Sequence, residues 1–287
     1  MIRNLLSLIL SLLMVLPAGG AASSDPVVPE MSLYVINVRK ADAMLLRSGE
    51  TVYLIDTGTE DGWPALQKVL RDEGITRLTG VIITHTDKDH AGGIDCLVQS
   101  DIEIGEVYAS AFYNKKDSKK KTKESKHPAV KALKDTGKEV VFLSGGDTLP
   151  LDGGTLEVLG PLEPNEEAEN CNSLVLLATG GGGNMLLTGD MEFPEENSLL
   201  AAGVLSRVDV LKVANHGEGD ATGQAFMDTV RPKVAVISTN SDDEPDTPSN
   251  RVLKLLARYS AAVYCTQDTE NGVLVTLKNG EILIEMK

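Results

Sequence analysis

The stretch Ile83–Gly93 reads ITHTDKDHAGG and completes the apolar run Leu78–Ile83, which is typical of a buried strand. Its polar side chains with metal-binding chemistry are His85, Asp87, Asp89 and His90. Side chains alternate between two faces in an extended segment, so His85 and Asp87 are predicted to point the same way and share one metal ion. The other two follow where the strand ends, and Gly92-Gly93 lets the chain turn closely there. They are free to reach a second ion.

Two imidazoles and two carboxylates at this spacing suit a pair of adjacent divalent metal ions. Such a pair makes hydroxide from water at neutral pH and stabilises an oxyanion. A polar loop after a strand can also carry Asp and Lys for solubility alone. The strand, the spacing and the glycine pair occur together here, which favours the metal site.

Strand patterns interspersed with helical patterns continue through both halves of the chain. Asp56 follows the predicted strand 51–55, Asp190 follows 185–187 and His216 follows 208–213. This arrangement predicts the α/β class, with two mixed sheets packed face to face and helices outside, an αββα sandwich. No linker divides residues 31–287, so one domain is expected there.

The N-terminus has the pattern of a secretory signal peptide. It begins MIRN, runs apolar over Leu5–Leu16 and continues with small residues to Ser24. We predict a signal peptide over 1–22, a linker over 23–30 and an exported domain over 31–287. The apolar run is short for a membrane span. Retention by an uncleaved N-terminal anchor is the alternative.

The three cysteines do not make a disulfide framework. Cys96 and Cys265 lie in apolar runs and are predicted to be buried. For Cys171 we favour neutral packing over a role as a thiolate ligand.

The net charge of −15 disfavours polyphosphate partners unless positive charge is concentrated locally. The Lys-rich segment 115–134 provides such a concentration. We interpret it as a solvated surface excursion, with steering of an anionic polymer as the alternative. His127 within it is interpreted as an exposed loop residue.

The chain resembles the metallo-β-lactamase superfamily, and within it the branch found as the C-terminal domain of the competence protein ComEC. That branch has the signature HxDxDHxGG where the broader superfamily has HxHxDH, and residues 85–93 match it in full. Further resemblances follow in the same order over nearly all of 31–287: Ile36–Ala43, Tyr53–Gly58, Asn170–Val175, Leu187–Asp190 and Val210–Gly217.

The resemblance implies a role for each matched residue. The implied ligands are His85 and Asp87 for a first ion, Asp89, His90 and His216 for a second, and Asp190 for both. Asp89 and Asp190 would also be catalytic. The residues that would orient ligands or substrate are Asp42, Asp56, Asn170, Asn172, Ser173 and Asn215.

For several of these residues, a purely structural role is the alternative. His216 fits a satisfied core histidine, and Asp42 fits a solubilising strand end. Asn170, Asn172 and Ser173 fit ordinary turn chemistry. A ligand set that is half carboxylate and half imidazole suits zinc, manganese or iron, and we expect two zinc or manganese ions.

The chain departs from the branch at three positions. Asn215 stands where the branch usually has His, Glu218 where it has Ser, and Thr247 where members often have His. The two missing imidazoles could have protonated a leaving group or bound a phosphate. These departures bear on substrate and rate more than on metal binding.

Three functions are compatible with the sequence. The first is a dinuclear phosphodiesterase in which a metal-bridging hydroxide attacks, acting on single-stranded nucleic acid or on envelope or small-molecule phosphodiesters. The second is hydrolysis of a lactone, thioester or β-lactam, which Asp87 argues against because members with those substrates usually have His there. The third is a non-catalytic metal-binding or interaction module.

Overall fold

The computed structural model describes residues 29–114, 124–259 and 262–287. The predicted signal peptide, most of the linker and Lys-rich residues 115–123 lie outside the described residues. The strands are β1 (Met31–Ile36), β2 (Met44–Ser48), β3 (Thr51–Ile55), β4 (Arg77–Ile83), β5 (Glu103–Ser110), β6 (Val140–Leu143), β7 (Thr148–Leu151), β8 (Gly154–Gly160), β9 (Val175–Gly180), β10 (Gly183–Leu187), β11 (Val210–Lys212), β12 (Val234–Ile237), β13 (Ala262–Cys265), β14 (Gly272–Lys278) and β15 (Glu281–Met286). The α-helices are α1 (Trp63–Asp72), α2 (Lys88–Ala91), α3 (Ile94–Val98), α4 (Pro128–Ala132), α5 (Phe193–Ala202), α6 (Gln224–Val230) and α7 (Asn250–Arg258).

The strands form two mixed sheets, as predicted. The first has eight strands in the order β15-β14-β1-β2-β3-β4-β5-β6, and the second has seven in the order β13-β12-β11-β10-β9-β8-β7. Strands β3 to β6 run parallel to one another, and so do β10 to β13. Helices α1, α3 and α4 pack on the outer face of the first sheet, and α5, α6 and α7 pack on that of the second. The αββα sandwich is confirmed.

Alternation along the strands builds the layers. In β1, Leu33 and Val35 face the core between the sheets, while Tyr34 and Ile36 face the helices. In β10, Met185 and Leu187 face the inner core and Leu186 faces outward. Successive side chains of a strand point to opposite faces, and both faces are covered here, so these strands read as continuous apolar runs.

The predicted site residues follow the carboxyl ends of parallel strands. Asp56 follows β3, the stretch from His85 to His90 follows β4, and Asp190 and His216 come shortly after β10 and β11. Carboxyl ends of parallel strands meet at one edge of a sheet, where ligands bind in open α/β sheets. The packing of the two sheets brings both edges to one end of the sandwich.

Some local predictions were wrong. His127 is buried rather than exposed, because its Nδ1 accepts a hydrogen bond of 3.2 Å from the Ala129 N–H at the start of α4 and its ring packs on Tyr113 and Phe142. Cys96 and Cys265 are partly exposed rather than buried. Throughout the described ranges, no helix combines the length and apolar character that crossing a membrane requires.

Candidate metal centre

The stretch after β4 leaves the strand at Ile83 and closes into the short helix α2. Asp87 is the N-cap residue of α2, so Asp89 and His90 lie on a helical turn rather than on the extended segment. A Cβ on Gly93 would lie 2.4 Å from the carbonyl oxygen of Thr57. Only glycine allows this approach, which holds the helix against the loop after β3.

The structure brings four of the six predicted ligands into one cluster. Ligand atoms of Asp89, His90, Asp190 and His216 all lie within 4.8 Å of one another. Asp190 Oδ2 lies 3.1 Å from Nε2 of His90 and 3.3 Å from Nε2 of His216, and Asp89 Oδ2 lies 3.4 Å from the same His216 atom. The Asp190 carboxylate is therefore at the centre of this group.

His85 and Asp87 form a pair beside this cluster. Nε2 of His85 lies 3.9 Å from Oδ2 of Asp87, and the His85 ring centroid is 4.1 Å from that of His90. The side chain of Asp87 is 43% exposed, whereas the two histidine side chains are fully buried. The assignment of each side chain to one of two ions stays a prediction.

Asp56 fixes the orientation of two histidines. Its Oδ2 lies 2.8 Å from Nδ1 of His90 and accepts a hydrogen bond of 2.7 Å from the Thr84 hydroxyl. The Thr84 hydroxyl donates its only hydrogen to Asp56. Towards Nδ1 of His85, which is 3.2 Å away, Thr84 Oγ1 can therefore only accept a hydrogen bond. Both Nδ1 atoms thus carry hydrogen, and both Nε2 atoms are left to bind a cation.

His216 is oriented from the backbone. Its Nδ1 lies 2.9 Å from the carbonyl oxygen of Ser238, which can only accept, so Nδ1 carries the hydrogen and Nε2 faces the cluster. Asn215 and His216 both have left-handed backbone conformations, with φ of 46° and 51°. Such conformations cost energy in non-glycine residues and are found at functional sites. The Asn215 side chain donates to Asp220 at 3.0 Å instead of facing the cluster.

A buried ion pair supports the same end of the sandwich. Asp42 and Lys212 are both fully buried, and Lys212 Nζ lies 2.9 Å from Oδ2 of Asp42. The other Asp42 oxygen accepts from the Ser238 hydroxyl and lies 3.8 Å from Nδ1 of His216. Asp42 therefore braces His216 rather than solubilising a strand end.

Of the remaining predicted residues, Ser173 contacts predicted ligands, whereas Asn170 and Asn172 hydrogen-bond elsewhere. Ser173 Oγ accepts from the Asp190 N–H at 3.1 Å and lies 3.3 Å from Nδ1 of His85, so Ser173 holds two predicted ligands in place. Asn172 instead hydrogen-bonds to both backbone groups of Asn165, which is turn chemistry. Asn170 donates to Glu192 at 2.9 Å. Cys171 is buried and burial raises its pKa to about 11, which matches neutral packing.

The electrostatics favour a bound cation. Burial lowers the pKa of His85 to about 3, which leaves that imidazole neutral. Burial also opposes protonation of His216, but Asp190 and Asp89 outweigh it and raise the pKa of His216 to about 10. Despite its own burial, Asp190 has a pKa well below the usual value, because His216 and His90 lie beside it. In the absence of metal, protons on His90 and His216 balance the charge of Asp190.

The residues fit a metal centre on a further observation. Buried Nε2 of His85 and Oδ1 of Asp190 have no hydrogen-bond partner among the described residues. Buried polar atoms are normally paired, so orphaned atoms beside other ligand atoms indicate the position of a cation. A pocket of about 470 Å³ lies next to this centre, lined among others by Thr86 and Lys88, but by none of the six predicted ligands.

Sequence reasoning missed Lys212, Ser238 and Thr84, which orient the predicted ligands. Lys212 carried a usable signal. A lysine inside the apolar run 208–213 has to find a buried carboxylate, because an unpaired buried charge is strongly destabilising. For Ser238 and Thr84 the sequence offered no such signal.

The chain belongs to the metallo-beta-lactamase superfamily, whose family model matches residues 36–265. Among curated proteins it is similar to ComE operon protein 3 of Bacillus subtilis, with 30% identity over 74% of this chain and 26% of that protein. It is also similar to Recombination protein 2 of Haemophilus influenzae, with 28% identity over 77% of this chain and 25% of that protein. The chain thus spans about a quarter of the length of these relatives.

The fold is shared with solved structures. The metallo-beta-lactamase fold protein YhfI from Bacillus subtilis superposes with a TM-score of 0.53 at 14% identity, over 86% of this chain and 99% of that one. This likeness supports the fold, and the chemistry has to be argued from the residues.

Proposed function

We propose that this chain is a metal-dependent hydrolase of phosphodiester bonds. The observation that carries the proposal is the cluster of Asp89, His90, Asp190 and His216, with the pair of His85 and Asp87 beside it. Two divalent ions, when bound, supply positive charge for an oxyanion and lower the pKa of a water molecule. Asp87, at a position where members acting on lactones, thioesters or β-lactams usually have His, supports a phosphodiester over those substrates.

Residues around the centre orient its three histidines and bury their rings. Asp56 and Thr84 keep the hydrogen of both His85 and His90 on Nδ1, and the Ser238 carbonyl does the same for His216. The Nε2 lone pairs of His90 and His216 thus face the cluster, and Nε2 of His85 is left to bind a cation beside it. Burial of all three rings excludes bulk water from this side of the centre, which strengthens every charge interaction there.

We further propose single-stranded nucleic acid as the substrate to test first. Supporting this choice, the relatives include a protein named Competence protein ComA from Neisseria gonorrhoeae and the Recombination protein 2 given above.

We also propose export through a signal peptide over residues 1–22. N-terminal sequencing of the protein recovered from the culture medium or periplasm would show cleavage near Ala22, and an intact Met1 would contradict it.

The test combines metal content with hydrolysis. The full chain is purified, its zinc and manganese are measured by elemental analysis, and bis-p-nitrophenyl phosphate hydrolysis is followed with and without a chelator. We expect about two ions per chain and, for Asp190→Ala, a loss of more than about 100-fold in rate together with reduced metal content. Asp101→Asn, at an exposed position, is the matched control and should match the wild type.

Each other outcome points elsewhere. Bound metal with no hydrolysis of bis-p-nitrophenyl phosphate or single-stranded DNA would refute the phosphodiesterase. Turnover of a lactone or nitrocefin under the same conditions would identify the bond instead. Metal content near zero would support a non-catalytic module.

A further inference from the structure

Lys40 lies at the rim of the metal centre, in the loop between β1 and β2. Its Nζ is 2.5 Å from Oε1 of Glu218 and 3.9 Å from Oε2 of Glu244, and its side chain is 18% exposed. Two residues further on, the Asp42 N–H donates to the carbonyl oxygen of Asp89 at 3.0 Å. The loop that carries Lys40 is therefore fixed directly against a predicted metal ligand.

The position of the ammonium group is held from both sides. On one side, Arg39 forms an ion pair with Asp243, which joins the Lys40 loop to the segment before α7. On the other, Glu218 comes two residues after His216, so the Lys40–Glu218 pair spans from the first sheet to the second. Burial opposes protonation of Lys40, but Glu218, Glu244 and Asp89 outweigh it and keep its pKa above the usual value. Lys40 is a permanent cation at neutral pH.

Two of the departures from the branch replace imidazoles that could bind a substrate phosphate, which leaves Lys40 to supply positive charge there. Asn215 stands where an imidazole is usual, and its amide is engaged by Asp220. Thr247 stands where another is frequent, and its hydroxyl is buried against Thr239. Neither side chain can supply positive charge to a substrate. The third departure, Glu218, is the partner of Lys40.

We propose that Lys40 binds a phosphate oxygen of the substrate, and that Glu218 holds the ammonium at the rim until the phosphate replaces it. This inference rests on the proposed phosphodiesterase function. An ammonium–phosphate contact is a charge-assisted hydrogen bond of the same kind as the ammonium–carboxylate contact that it replaces. The exchange needs only side-chain rotation of Lys40, whose loop stays fixed through Arg39 and Asp42.

The test is a double-mutant cycle on binding of inorganic phosphate to the metal-loaded full chain, measured by isothermal titration calorimetry. We expect Lys40→Met to weaken phosphate binding about 10-fold, and Glu218→Gln to strengthen it several-fold because the competitor is removed. In the Lys40→Met background, Glu218→Gln should have almost no effect. Lys68→Met, which breaks a surface pair with Asp72, is the matched control and should bind phosphate as the wild type does.

Two results would overturn the assignment. One is unchanged phosphate affinity in Lys40→Met, with folding checked by thermal unfolding. The other is an equal gain from Glu218→Gln whether or not Lys40 is present, because that would be a general field effect of the lost carboxylate. Lys40→Arg should keep most of the affinity if charge is what binds, and a loss equal to that of Lys40→Met would also count against it.

Hydrolysis separates this inference from the proposed function. Anionic bis-p-nitrophenyl phosphate should show a raised KM in Lys40→Met, while neutral p-nitrophenyl acetate, if turned over, should not. Normal diester kinetics in every variant would refute the Lys40 assignment alone. The predicted phosphate-binding pattern without any diester hydrolysis would refute the proposed function and leave the anion site standing.

Discussion

Glu195 is a buried acid that the metal centre does not use, and it allows a quantitative test of the structure. It lies in the first turn of α5 and is 4% exposed. Neither carboxyl oxygen has a hydrogen-bond partner among the described residues, and Oε1 would lie 2.9 Å from a Cβ placed on Gly160. Burial alone raises the pKa of Glu195 well above its ordinary value of 4.5. The folded protein therefore keeps this carboxyl protonated up to a higher pH than the unfolded chain does.

The sign and size of the effect follow from proton linkage. Above pH 4.5 the unfolded chain has lost the Glu195 proton while the folded chain retains it, so the folded state binds more protons. The free energy of unfolding therefore falls as pH rises, by about 1.4 kcal/mol for each pH unit until the folded pKa is reached. Glu195→Gln has the same shape and cannot ionise, so this loss is absent.

The measurement is urea unfolding of the full chain between pH 4.5 and pH 8, with a chelator in every buffer so that metal binding does not contribute. The difference in unfolding free energy, Glu195→Gln minus wild type, should rise by about 1.4 kcal/mol per pH unit and then level off at the folded pKa. Other titrating groups cancel in this difference. Glu163→Gln, at an exposed position, should give a flat line. A flat or falling line for Glu195→Gln would mean that Glu195 is ionised in the folded protein.

Three further predictions concern the metal centre. Asp56 accepts from the Thr84 N–H with Oδ1 and binds the Thr84 hydroxyl and His90 with Oδ2, whereas Asp56→Asn offers only one acceptor oxygen. Metal affinity should therefore fall about 10- to 100-fold in competition with a chromogenic chelator, and unchanged affinity would contradict the orienting role. Lys212→Met leaves Asp42 buried without its cation, so the free energy of unfolding measured with denaturant should fall by about 3–5 kcal/mol. A fall below about 1 kcal/mol would mean that water reaches the pair. The pKa values of His90 and His216 are raised, so metal binding should release protons and should become tighter as pH rises towards 10. Proton release is measured by calorimetry of metal binding in buffers of different ionisation enthalpy, and identical heats in all buffers would refute it.

Much of the fold was predictable because its signals are local. The apolar runs that become β3, β4 and β10 are each followed within a few residues by a polar site residue, and this order fixes where the site lies in an α/β sandwich. Asn279-Gly280, a residue pair typical of two-residue hairpin turns, joins β14 and β15, and both residues adopt the positive φ of 52° and 82° that such a turn requires.

The wrong predictions involve contacts between residues distant in sequence. His127 looked like part of a charged loop, but Tyr113 and Phe142 from other segments cover its ring. Side-chain partners at this range leave no period or spacing in the sequence, so only the folded chain shows them.

The buried charges at this end of the molecule explain why the centre forms between the sheets. Asp42 comes from the first sheet, and its partners Lys212 and Ser238 come from the second, so the pair can form only when the sandwich is closed. The same carboxylate braces His216 of the second sheet, while Asp42 N–H holds the Asp89 carbonyl of the first. A shifted packing of the sheets that kept either charge buried without its partner would be strongly unfavourable. Correct packing of the two sheets and correct placement of the predicted ligands are thus enforced by the same ion pair.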